Sequence, residues 1–115
     1  MPKQFSDLGI SAPILKAITE LKIVVPTEIQ QKTIPLLLSN TTDLVGLAKT
    51  GTGKTAAFGL PILQLIDTNL PVVQAVVLVP TRELGHQIFR NLEDFAKYLP
   101  QVSIAATCGG IPIKP

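Results

Sequence analysis

Residues 43–55 read DLVGLAKTGTGKT: a short apolar run, then a turn with two glycines, then a lysine and a threonine. The lysine and threonine lead into a longer apolar stretch, AAFGLPILQLI, at 56–66. Such an order predicts a buried strand over Asp43–Leu47, a loop, and a helix running to about Ile66. A loop joining a strand to a helix N-terminus turns successive backbone N–H groups inward, and glycines let the chain come close to phosphate oxygens. Lys54 then places an ammonium against β- and γ-phosphates, and the Thr55 hydroxyl helps to hold Mg2+. The first glycine of the G-x-x-x-x-G-K-[ST] pattern is replaced by Ala48, while Gly51 and Gly53 supply the flexibility nearest the phosphates. The alternative is a lysine-bearing turn that only caps a helix.

The remaining chain fits an α/β domain. At 115 residues it makes one domain at most. Apolar residues make up 46% and charged residues 16%, a balance that excludes disorder and suits strands buried on both faces. A net charge of +2 is too mild to argue for nucleic acid, so that case must rest on motifs. The single cysteine, Cys108, has no internal disulfide partner, and MPKQFSDLG at the N-terminus lacks a signal peptide's apolar core. A cytoplasmic protein without a membrane span is the expectation.

Ser11 is expected to cap a helix to about Leu21, with Ile14, Leu15, Ile18 and Leu21 on one face. Pro26 and Thr27 open a second helix, with Ile29, Leu36 and Leu37 apolar and a kink at Pro35. Ala75–Val79 reads as a strand, Thr81–Leu99 as a long amphipathic helix and Val102–Thr107 as a third strand. Alternating strands and helices predict right-handed crossovers in a parallel sheet.

Three further stretches can carry chemistry. In PTEIQQ (26–31), Thr27 and Gln30 form the two ends of a capping box, the favoured reading of these six residues. The Gln30 amide can also read adenine, accepting from N6 and donating to N7, a pairing that guanine cannot satisfy. In PTREL (80–84), Thr81 can cap a helix, and Arg82 is a cation at the positive helix end, where an anion such as a nucleic-acid phosphate would accommodate it. The doublet Gly109-Gly110 is a turn, or a place where a bulky polymer backbone comes close. His86 is expected on the surface and Cys108 as a small packed residue.

Taken in order and spacing, these stretches resemble the DEAD-box RNA helicases over essentially the whole chain, 1–115. Phe5 with Pro26–Gln31 is similar to the family's Q motif (5–31), AKTGTGKT (48–55) to its P-loop, PTREL (80–84) to its motif Ia and Gly109-Gly110 to the doublet that follows. Ala48 is then the family's own residue. The resemblance implies a RecA-like P-loop NTPase fold, a parallel sheet flanked by helices, here truncated. It implies ATP and Mg2+ as cofactors and RNA as partner. Phe5 and Gln30 would pack and read adenine, and Ala48, Thr50, Gly51, Thr52, Gly53, Lys54 and Thr55 would hold the phosphates. Lys54 and Thr55 are the catalytic candidates, with Thr55 on Mg2+. Pro80, Thr81, Arg82, Gly109 and Gly110 would touch RNA. Lys22 and Ile23 stand where the family usually has a glycine and an aromatic, and Gly85 where it has alanine. No Asp-Glu-Ala-Asp or Ser-Ala-Thr occurs. The chain therefore reads as the first half of a RecA-like domain, expected to be inactive alone and to need the rest of that domain and a second one. Strands from later in the sequence would lie between 43–47 and 75–79, so apolar strand edges are expected to stay unpaired and to favour self-association.

Overall fold

The amphipathic segments fold as helices around one core in the computed structural model, which describes residues 4–39, 43–47 and 53–107. A 3-10 turn, Phe5–Leu8, precedes α1 (Ala12–Glu20), α2 (Glu28–Ser39), α3 (Lys54–Leu65) and α4 (Arg82–Phe95). Each helix contributes the side of its surface where apolar residues recur every three or four positions. Ile14 and Ile18 of α1, Ile34 of α2, Leu60 and Leu63 of α3, and Ile88, Leu92 and Phe95 of α4 share one cluster with Phe5, Leu8 and Ile10. α3 packs between α2 and α4, and α1 lies against α4. The α3–α4 approach depends on Gly59, where a Cβ would lie 2.7 Å from Leu92 Cδ2. Gly85 meets Val79 in a similar way, at 3.2 Å, so the expected alanine would require Val79 to move.

Several expectations are corrected. Ser11 is the N-cap of α1 but its hydroxyl caps nothing. In α2 the fully buried side chain is Ile34, whereas Leu36 is 47% exposed. The last helix stops at Phe95, and Leu99 lies in the turn beyond, still packed on the core.

The largest correction concerns the sheet. Segments 43–47, 75–79 and 102–107 form no strand among the described residues. Strands exist only through ladders with neighbours. In the implied fold 43–47 and 75–79 are not neighbours, so neither can complete the other. The strand-like alternation nevertheless survives in burial. Val77, Val79, Val102 and Ile104 pack on the helices, while Val76 is 71% and Leu78 89% exposed. Val45 and Leu47 are likewise exposed. One face of 75–79 and of 102–104 is therefore covered by helices and the other by nothing among the described residues, while 43–47 is exposed throughout.

An exposed polar cluster closes α1 against the end of α4. Lys97 Nζ lies 2.7 Å from Glu20 Oε1, the Tyr98 hydroxyl donates to Glu20, and Lys16 Nζ sits 4.4 Å from the Tyr98 ring centroid. The hydrogen bond from Lys97, and then that from Tyr98, holds the Glu20 carboxyl below its ordinary value. A depressed carboxyl stabilises the fold above its unfolded pKa and ceases to do so as pH falls through the folded one. Exposure keeps that contribution small.

α1 ends in a Schellman turn. The Lys22 N–H donates to Thr19 O (3.0 Å) and the Ile23 N–H to Ile18 O (2.8 Å), with Lys22 at φ 64°. This left-handed position is where the resembled family has glycine, and a side chain there costs about 1–2 kcal/mol. Replacing Lys22 by glycine relieves that strain and gives back about 0.5–1 kcal/mol through greater freedom of the unfolded chain. We therefore expect Lys22→Gly to stabilise the chain by up to about 1 kcal/mol, read as a higher thermal midpoint. A lower midpoint would mean that position 22 is not held in the left-handed region.

Candidate nucleotide and nucleic-acid site

The site is assembled where α2 meets the start of α3. At the head of α2 the capping box is complete: the Thr27 N–H donates to Gln30 Oε1 (2.8 Å) and the Gln30 N–H to Thr27 Oγ1 (3.4 Å). The same Gln30 amide turns outward from its own helix, and Nε2 donates to Gly53 O at 3.1 Å. Gln30 is 3% exposed, so it is a buried polar group with its bonds made. These are its only side-chain hydrogen bonds among the described residues, leaving one amide proton and one oxygen lone pair uncommitted.

Gly53 is the N-cap of α3 at φ 84°, a conformation open to glycine at little cost. A Cβ at Gly53 would also lie 2.3 Å from Gln30 Nε2. Lys54, exposed, and Thr55, half-buried, form the first turn of α3, and no acidic side chain occupies that turn. The N–H groups and dipole of that helix end thus face no carboxylate of their own, the condition for accepting an anion. Ala48, Thr50, Gly51 and Thr52 lie outside the described residues.

The turn that carries Phe5 lies against α2, and Phe5 is 3% exposed. Pro80, Thr81 and Arg82 are exposed at the start of α4, where Thr81 Oγ1 accepts from the Leu84 N–H at 3.2 Å. Arg82 is the first residue of that helix. Gly109, Gly110 and Cys108 lie outside the described residues, and His86 is on the surface as expected. Among the described residues no group of His, Cys, Asp or Glu could hold a metal. A hydroxyl ligand from Thr55, completed by phosphate oxygens, is the metal environment that these residues fit. No helix of the described residues is long and apolar enough to cross a membrane.

One polar residue with long-range bonds was not singled out from sequence: Gln64, on the far turn of α3. Its Oε1 accepts from the Ser11 N–H (2.8 Å) and its Nε2 donates to Gly9 O (2.7 Å). The available signal was a lone amide inside the apolar run LPILQLI.

Comparison with known proteins agrees with this geometry. Residues 27–115 match the family model described as DEAD/DEAH box helicase. The chain is 48% identical over 106 residues to the ATP-dependent RNA helicase DeaD of Escherichia coli, covering 92% of this chain and 17% of that protein. The DeaD protein of Mycobacterium tuberculosis is 47% identical, with 92% of this chain and 19% of that protein covered. Among solved structures, Saccharomyces cerevisiae Dbp5 bound to RNA and ADP BeF3 superposes with a TM-score of 0.80 at 36% identity, covering 84% of this chain and 25% of that one. The RNA helicase Prp28 of Chaetomium thermophilum bound to ADP gives a TM-score of 0.80 at 35% identity, covering 91% of this chain and 26% of that one. The chain thus spans less than a fifth of the length of these two DeaD relatives.

The Gln30–Gly53 contact is testable by a double-mutant cycle. Gly53→Ala should cost about 2 kcal/mol, combining left-handed strain with displacement of the Gln30 amide. In a Gln30→Ala background it should cost about 1 kcal/mol less, because the clash is gone. Equal costs in both backgrounds, measured by denaturant unfolding, would show that the two residues do not meet.

Proposed function

The chain belongs to the DEAD/DEAH box helicase family, and from that premise we propose that it is the ATP- and RNA-binding portion of an ATP-dependent RNA helicase. The observation that carries this reading is the bond from Gln30 Nε2 to Gly53 O, which joins a base-reading amide to the anion-accepting end of α3. The proton and lone pair left on Gln30 are what adenine N7 and N6–H require, and guanine offers the opposite pattern at position 6. Phe5, buried beside α2, forms part of the apolar wall behind the base.

On this reading residues 48–55 are the P-loop and 26–31 with Phe5 the Q motif. Lys54 neutralises β- and γ-phosphate oxygens, and backbone N–H groups at the start of α3 hold them in place. Thr55 contributes one hydroxyl to Mg2+, which when bound spreads the charge that develops during phosphoryl transfer. The exposed Pro80–Arg82 corner binds an RNA phosphate: Arg82 supplies the charge, while Thr81 keeps the helix end capped. Hydrolysis and RNA remodelling belong to the longer protein, whose other parts supply the attacking water's base and the opposing positive charge. A cytoplasmic setting, in keeping with the lone cysteine, belongs to the same proposal.

Nucleotide titrations of the wild-type and Gln30→Ala chains test it. The wild type should prefer ATP to GTP, and Gln30→Ala should erode that preference by roughly 1–3 kcal/mol, about ten- to a hundredfold. Loss of the cap alone would lower stability by about 1 kcal/mol and leave base preference intact, which would reduce Gln30 to a helix cap.

A further inference from the structure

The N-terminal segment that carries Phe5 is held at both ends of a closed circuit of contacts. The Phe5–Leu8 turn packs on α2, α2 reaches α3 through Gln30 and Gly53, and α3 reaches back through Gln64. Gln64 grips the junction between the turn and α1: Gly9, which closes the turn at φ 96°, and Ser11, the N-cap of α1. The assignment of its amide is fixed by its partners, since a carbonyl must receive the N–H and an N–H must meet the oxygen. Two bonds of 2.7 and 2.8 Å from one half-buried side chain leave it no freedom to swing.

Building on the ATP-binding reading above, we propose that Gln64 is a positioning residue for base recognition. It keeps the Phe5 segment registered against α2, and so fixes the wall behind the base, without touching nucleotide. The phosphate end of the site is built from the opposite end of α3 and from Gln30, so it does not need this clamp. Gln64 therefore governs the contribution of the base and not that of the phosphates.

The test compares ATP with inorganic tripolyphosphate, which lacks a base, in titrations of the wild-type chain and of Gln64→Met, a variant of similar length without the two bonds. Gln64→Met should bind ATP about five- to tenfold more weakly and tripolyphosphate as the wild type does. Glu20→Gln serves as the control, because it loosens the far end of α1 at the Lys97–Tyr98 cluster. It should leave the ratio of the two affinities at the wild-type value. Unchanged ATP binding in Gln64→Met, or equal loss for ATP and tripolyphosphate, would overturn the proposal, the second outcome by showing a purely structural role. The same shift in ratio from Glu20→Gln would overturn it too, since any loosening of α1 would then suffice. A wild-type chain that binds neither ligand would instead remove the ATP-binding reading on which the proposal rests.

Discussion

The amide of Gln30 has to satisfy a helix end and a loop at once. Its oxygen takes the Thr27 N–H at the head of α2, and its nitrogen supplies the Gly53 carbonyl at the mouth of α3. Buried to 3% exposure, it would be costly unpaired, by about 1–3 kcal/mol. That cost ties the two helix starts together. It also demands glycine at 53, because a Cβ would occupy the space of the amide. The placement of Lys54 and Thr55 follows from this junction.

The parts legible in the sequence were those governed by local rules. Helical spacing marked Ile14 and Ile18, and Ile88, Leu92 and Phe95, because a 3.6-residue repeat places them on one side whatever they pack against. Thr27 with Gln30, and Thr81, announced helix starts because a cap needs only residues three positions apart. The glycine expected at 22 explains itself once Lys22 is seen at positive φ. Features created by distant parts of the chain were less legible. Gln64 meets Gly9 and Ser11, and Glu20 meets Lys97 and Tyr98, across separations that no sequence window spans. Leu36 read as one of the apolar residues of α2 and is half exposed, while Ile34 is fully buried on the helix that packs against α3.

The strand segments show the same limit. Their composition and alternation were readable, and the alternation persists in the way Val77 and Val79 face the helices while Val76 and Leu78 do not. A ladder, however, is a property of two segments, and these three have no strand partner among the described residues. In 75–79 the uncovered face, with Val76 and Leu78, is as apolar as the covered one, which is the pattern of a strand meant to be buried on both sides. The helices that position the candidate site pack on one shared core without a ladder, and the chain superposes on the solved helicase structures with a TM-score of 0.80.

If Gln30 joins the base end of the site to the phosphate end, amide hydrogen exchange should register both when a complete nucleotide binds. ATP should slow exchange at the head of α2, residues 27–31, together with the start of α3, residues 53–57. Tripolyphosphate should slow it at 53–57 with a lesser effect at 27–31. Equal protection of both segments by the two ligands, or none at 27–31 with ATP, would contradict the role given to Gln30.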